Sequence, residues 1–284
     1  MENESSKTQN AFEDKFTEIA QKCRESGFNT LIVQVRPFCD ALYKSSYFPW
    51  SHILTGTQGE NPQYDALQIM CDICKENNLK IHAWINPYRV SSNETPKKLS
   101  DNNPYIKNSE IGIKTDNGIF LDPSNETAQQ LISDGVKEIA ENYDVDGIQF
   151  DDYFYPTEDE SFDKKQYEAY IEKYGKENSM SLDNWRMQNV NTLICKVYRT
   201  IKSVDSSVEF GISPQGNIGN NDGLYADVKS WMMQMYMMKI SMRTPKDDLI
   251  EKQKDCSDYC ICNSYVKRYL HKLIYKRKTA QKAE

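Results

Sequence analysis

Four short apolar segments, each ending in a polar residue beside Pro or Asp, constrain this 284-residue chain more than any other feature. They read Asn-Thr-Leu-Ile-Val-Gln-Val-Arg-Pro at 29–37, Lys-Ile-His-Ala-Trp-Ile-Asn-Pro at 80–87, Val-Asp-Gly-Ile-Gln-Phe-Asp at 145–151 and Glu-Phe-Gly-Ile-Ser-Pro at 209–214. Helical patterns precede and separate them. Phe12, Phe16, Ile19, Ala20 and Cys23 recur at helical spacing, and further helices are expected at 64–77, at 126–142 and over 162–204, the last broken near Gly175 and Ser179. A loop rich in aromatics (Tyr43, Tyr47, Phe48, Trp50) follows the first strand, and a long polar loop follows the second. Strand and helix in alternation imply right-handed crossovers and a parallel sheet, an α/β fold with about four clear strand–helix units. In such sheets the reactive side chains collect at the carboxyl ends of the strands.

Side chains alternate between the two faces of a strand. Leu31, Val33 and Val35 share one face, as do Ile81, Ala83 and Ile85, Ile148 and Phe150, and Phe210 and Ile212. This apolar face suits a helix layer. The opposite face carries Ile32, Gln34 and Arg36, then His82, Trp84 and Asn86, then Gln149 and Asp151, then Gly211 and Ser213. Arg36, Asn86, Asp151 and Ser213 are therefore expected to open onto one mouth.

Composition excludes more than it names. A net charge of −7 argues against general nucleic-acid binding, which selects for a basic face. No apolar run reaches the ~20 residues that span a bilayer. The start lacks a basic region followed by an apolar one, so no signal peptide is read there, and the chain as it stands reads as cytoplasmic. The 8 cysteines are scattered. Cys71 and Cys74 form a C-x-x-C inside a helical pattern without a second pair, while Cys256, Cys260, Cys262 and His271 lack ligand spacing, so no metal or other cofactor is expected. Nothing in the pattern sets an oligomeric state.

The chemistry that remains is that of carboxylates beside flat aromatic faces, of which the 18 Tyr and 4 Trp supply many. Glycosidic cleavage takes one acid to protonate the leaving oxygen and one carboxylate as base or nucleophile. Asp151 stands at a strand end on the polar face and is the first catalytic candidate; Asp152 follows in the loop, pointing roughly the other way, and is the second. The plainer alternative pairs Asp151 with Arg36 and leaves Asp152 to cap a loop. Arg36 suits either a carboxylate clamp or a structural ion pair. His82 lies two positions deeper and reads as a core histidine or a substrate contact, and Trp84 as a sugar floor or core filling. Asn86 and Asp122 precede prolines at loop mouths, where they could meet hydroxyls. Tyr153, Phe154 and Tyr155 form either an aromatic subsite or packing under the loop. Asp152, Asp40 and Asp122 are the available partners for Asp151.

The runs at 29–43, 47–50 (Tyr-Phe-Pro-Trp), 82–89 (His-Ala-Trp-Ile-Asn-Pro-Tyr-Arg), 144–156 (Asp-Val-Asp-Gly-Ile-Gln-Phe-Asp-Asp-Tyr-Phe-Tyr-Pro) and 211–214 (Gly-Ile-Ser-Pro) together resemble the glycosyl hydrolase-like 10 family of bacterial barrels. The resemblance covers roughly residues 12–232. It implies a (β/α)8 TIM-like barrel, here partial, acting on a polysaccharide or oligosaccharide such as bacterial cell-wall glycan, in exported proteins. On this reading Asp151 and Asp152 are the catalytic candidates, and Arg36, Asp40, His82, Trp84, Asn86, Asp122, Tyr153 and Ser213 the substrate-facing ones. The chain departs from the pattern at both ends: a strand before the first helix and further strands after 211–214 are missing. The expected layout is thus a polar, disordered start at 1–11, a partial barrel at 12–235, and a divergent tail at 236–284 without strand pattern that adds little to the core. The basic residues of that tail, Lys267, Arg268, Lys272, Lys276, Arg277 and Lys278, suit a nucleic-acid contact or a solvated helix face equally well. An enzyme and a truncated, inactive or carbohydrate-binding remnant both remain open at this point.

Overall fold

The computed structural model describes residues 8–93, 95–215, 218–234, 239–240 and 259–262. Helix α1 (Gln9–Glu25) leads into β1 (Thr30–Arg36), and α2 (His52–Thr55) and α3 (Ala66–Glu76) lead into β2 (Lys80–Ile85). There follow β3 (Arg89–Ser92), α4 (Pro104–Lys107), β4 (Gly112–Thr115), β5 (Gly118–Leu121), α5 (Glu126–Asn142) and β6 (Gly147–Phe150). Then come α6 (Lys164–Tyr174), α7 (Leu182–Val204), β7 (Glu209–Ile212), α8 (Val228–Gln234), β8 (Lys239–Ile240) and β9 (Tyr259–Cys262).

The four anticipated strands lie side by side in a parallel sheet of order β8-β7-β6-β2-β1-β9. Register aligns Val33, Ala83, Ile148 and Phe210 across four neighbouring strands, and all four are buried. Helices cover this face. Phe12, Phe16, Ala20 and Cys23 of α1 and Leu67, Met70, Cys71 and Cys74 of α3 are buried, as are Ile132, Val136 and Ile139 of α5 and Val190, Leu193, Ile194, Val197 and Ile201 of α7. The C-x-x-C pair thus belongs to the core, and burial pushes the Cys71 thiol up to about 12. Each of these helices starts from a side-chain cap: Thr8, Asp65, Asn125 and Ser181 each accept a backbone N–H of the first turn. The Thr8 cap starts α1 inside the stretch expected to be a disordered start. The 162–204 helix breaks as anticipated, at Gly175, whose φ of 80° ends α6.

Three features differ from the sequence expectation. The loop between 88 and 121 contains a small antiparallel sheet, β3-β5-β4, of four-residue strands too short to show alternation. In the tail, Lys239–Ile240 pairs with β7 and Tyr259–Cys262 pairs with β1, aligning Thr30 with Tyr259. The tail therefore extends the sheet on both sides; its remaining residues lie outside the described ones.

The third difference decides the geometry of the mouth. Pairing of β1 with β2 shifts between Gln34, opposite Trp84, and Arg36, opposite Ile85. This bulge inserts one residue and reverses the parity of the strand end. Arg36 consequently leaves the polar face and points into the helix layer, 1% exposed, with its guanidinium 4.4 Å from the centre of the Phe48 ring. Gly135 of α5 makes the room: a Cβ there would sit 2.4 Å from Phe48 Cε2 and 2.5 Å from an Arg36 terminal nitrogen. Gly135→Ala should lower stability by about 1–2 kcal/mol, overpacking outweighing the ~1 kcal/mol of helix propensity that alanine adds. Urea denaturation measures this; a raised midpoint would show that Arg36 and Phe48 yield freely.

Candidate active site

The other strand ends meet as alternation requires. Backbone N–H groups of Asn86 and Ser213 donate to the carbonyls of Arg36 and Phe150, each at 2.9 Å, so the sheet pairing runs one residue past β2 and β7. Asp151 directly follows β6 between them. Its Oδ2 accepts from Trp84 Nε1 at 3.0 Å and from Asn86 Nδ2 at 3.2 Å, and its Oδ1 accepts from the Tyr153 N–H at 3.3 Å. Asp151 is 1% exposed. Burial raises its carboxyl to about 6; the Trp84 hydrogen bond, the Arg89 charge and the Tyr153 N–H oppose the rise, and the Asp152 charge adds to it. A carboxyl poised there exchanges its proton within the working range of acid–base catalysis.

Asp152 is equally buried but reaches the loop after β7, where its Oδ2 accepts from Gln215 Nε2. Its Oδ1 is buried without a hydrogen-bond partner. Gln215 is itself held by Asn221, whose side chain accepts its N–H at 3.0 Å and donates to its carbonyl at 3.1 Å. The two adjacent carboxylates thus diverge, Asp151 toward β2 and Asp152 toward the β7 loop. Ser213 follows β7 beside them, its N–H on the Phe150 carbonyl, and is buried.

Of the remaining candidates, Tyr153 is 54% exposed and lies 4.9 Å beneath the Arg89 guanidinium, available to a ligand. Its neighbours pack inward: Phe154 meets Trp231 edge-on, and Tyr155 meets Phe162 and Tyr225. Asp40 is buried in a loop network, its Oδ2 bonded to His52 Nδ1 at 3.0 Å and Gln58 Nε2 at 3.1 Å. Gln58 in turn accepts from Ser100 N and Asn103 Nδ2, which ties Asp40 to the chain ahead of α4. Asp122 accepts from the backbone and hydroxyl of Ser124, both at 2.8 Å, and so shapes the turn before α5. Burial raises its carboxyl as well.

Two candidates stand apart from the mouth. Arg36 is turned into the helix layer by the bulge and makes no ion pair with Asp151. His82 sits one layer below Trp84, against Gly147, where a Cβ would come within 2.7 Å of the ring, and 3.8 Å from Glu209 Oε2. Burial among sheet neighbours makes it a residue of the interior. Three contributors went unnoticed in the sequence. Arg89 ended the 82–89 run, Gln215 directly followed the strand-ending Pro214, and Phe38 directly followed Pro37 and lies 5.6 Å below the Arg89 guanidinium; adjacency to a strand end was the available signal.

The chain is 36% identical over 240 aligned residues to glycosyl hydrolase YngK of Bacillus subtilis (strain 168), covering 78% of this chain and 46% of that protein. It is 39% identical over 232 residues to glycosyl hydrolase DigH of Escherichia coli (strain K12), covering 73% and 52%. It thus spans about half the length of the curated relatives it matches. Among solved structures, the glycoside hydrolase domain of PgaB (BpsB) from Bordetella bronchiseptica superposes with a TM-score of 0.55 at 9% identity, over 81% of this chain and 68% of that one. At that identity the likeness concerns the fold, which is of the TIM-barrel type. The glycosyl hydrolase-like 10 profile matches residues 4–254, and the chain belongs to that family.

Proposed function

We propose that this chain hydrolyses O-glycosidic bonds of a polysaccharide or oligosaccharide, with Asp151 as the reacting carboxylate. One observation carries the reading: a carboxyl at a strand end, 1% exposed, raised to about 6, and held on both oxygens by three donors, two from the end of β2 and one from its own loop. A carboxyl serving only to cap its own loop needs neither the burial nor the indole donor. Asp152 is the second member in this reading, oriented by Gln215, and the exposed Tyr153 ring offers a face to a sugar. The relatives named as glycosyl hydrolases support the reaction class, and bacterial cell-wall glycan is a substrate to try first.

The purified chain should release new reducing ends from a panel of polysaccharides, with an inflection in kcat/KM near pH 6. A cooperatively folded protein that binds such glycans but never cleaves them would establish the carbohydrate-binding alternative. Trp84→Phe keeps the aromatic bulk and removes the N–H that favours the ionised carboxyl. Its inflection should move upward by roughly half to one pH unit. An unmoved inflection would mean that Asp151 does not govern the profile.

A further inference from the structure

We infer that Arg89 is a positioning residue of this site, bracing both oxygens of Asp151 through separate intermediaries while keeping a positive charge beside them. The inference rests on the reading of Asp151 as the reacting group. Arg89 opens β3, three residues after Asn86. Its backbone N–H donates to Asn86 Oδ1 at 3.0 Å, and Asn86 Nδ2 donates to Asp151 Oδ2 at 3.2 Å. Its side chain runs the other way. The guanidinium carbon lies 4.9 Å from the centre of the Tyr153 ring and 5.6 Å from that of Phe38, and the Tyr153 N–H holds Asp151 Oδ1. Main chain and side chain of one residue therefore steady the two donors that grip opposite oxygens.

The chemistry of arginine suits the position. A planar, weakly hydrated guanidinium lies flat against aromatic faces, which a compact ammonium does less well. Among the described residues no carboxylate stands within ion-pair distance of it, so its charge is not spent on a neighbour. The groups around Asp151 act in both directions. Arg89 and the Trp84 indole favour the carboxylate, and Asp152, next in the chain, opposes it. Asn86, and Gln215 in the loop after β7, are neutral; His82 and Glu209 face one another below, and Arg36 is turned away. Arg89 is thus the cation that offsets Asp152.

The test uses Arg89→Gln and Arg89→Lys in the full chain. Titration of Asp151, followed by carboxyl NMR without any glycan and assigned by difference from Asp151→Asn, should move up by about one pH unit in Arg89→Gln. The Asp151-linked limb of kcat/KM should move with it, whichever protonation state reacts. Arg89→Lys should restore most of the titration but not kcat, since its ammonium keeps the charge without the two-ring clamp. A folded Arg89→Gln protein with an unmoved Asp151 titration overturns the inference. Should that variant not fold, Tyr153→Leu removes one ring of the clamp from the exposed side and should shift the titration in the same direction; no shift there is equally decisive. A shifted titration in a protein that cleaves no glycan in any form would sink the hydrolase reading while leaving the role of Arg89 intact.

Discussion

Asp151→Asn should reduce glycan cleavage by at least ~10²–10⁴-fold, the range lost when a general acid or base is removed. Asn keeps the shape and an oxygen for Trp84 and Asn86 to bond, yet it neither ionises nor transfers a proton. If Asp151 attacks the sugar directly the loss is larger, because no glycosyl intermediate forms. The same variant should fold more tightly at neutral pH. The carboxyl is raised from 3.8 to about 6 in the folded chain, so the native state holds its proton more firmly than the unfolded one. The stability this confers is complete below pH 3.8 and fades as pH climbs to about 6, leaving a buried charge whose cost reaches ~3 kcal/mol at about 1.4 kcal/mol per pH unit. Asn carries no such charge, and its denaturation midpoint should vary less across that window. Activity and chemical denaturation on one preparation settle both halves. An Asn variant that is active, or less stable than the parent at pH 7, would show that Asp151 is a structural carboxylate.

The largest stability loss is expected at Asp163. Its carboxylate receives Arg186 Nε on both oxygens, at 2.9 and 3.1 Å, and both side chains are completely buried. The same guanidinium donates to the Tyr225 hydroxyl at 2.8 Å and to the carbonyls of Glu158 and Asp159 at 3.2 and 2.8 Å. Arg186 of α7 therefore pins the loop that leaves β6 after Asp151. Asp163→Ala strands a buried cation and should cost about 3–5 kcal/mol. Replacing both partners, as Asp163→Leu with Arg186→Met, should recover much of that, since no unpaired charge is left inside. Urea denaturation of the parent and these two variants measures both effects. A single-variant loss under ~1 kcal/mol would show that water reaches the guanidinium.

Much of this was legible because period-two alternation is a local rule. Trp84, Asn86 and Asp151 could be assigned to one face from their own strands, and the four strands appear as neighbours in the sheet. What failed was nonlocal. Arg36 obeyed the alternation in sequence but not in space, because a bulge is defined only by the partner strand. Arg89 and Gln215 act across loops whose path depends on packing, Gln215 meeting Asp152 from 63 positions away. The strand at 239–240 is too short to carry a period, and that at 259–262 pairs with β1, aligned with Thr30 from the other end of the chain.

The bulge at the end of β1 bears on how such a mouth can diverge. Where one extra residue decides which side of a strand faces inward, the sign of the charge at the rim is a matter of odd or even count. With the bulge kept, adding one residue between Gln34 and Arg36 would carry the arginine from the level of Ile85 to that of Asn86, swinging the guanidinium from the helix layer toward Asp151 without any change in residue type. Charge at this rim is thus open to revision by single-residue insertions and deletions, a mutational route separate from the substitutions that tune the carboxylates themselves.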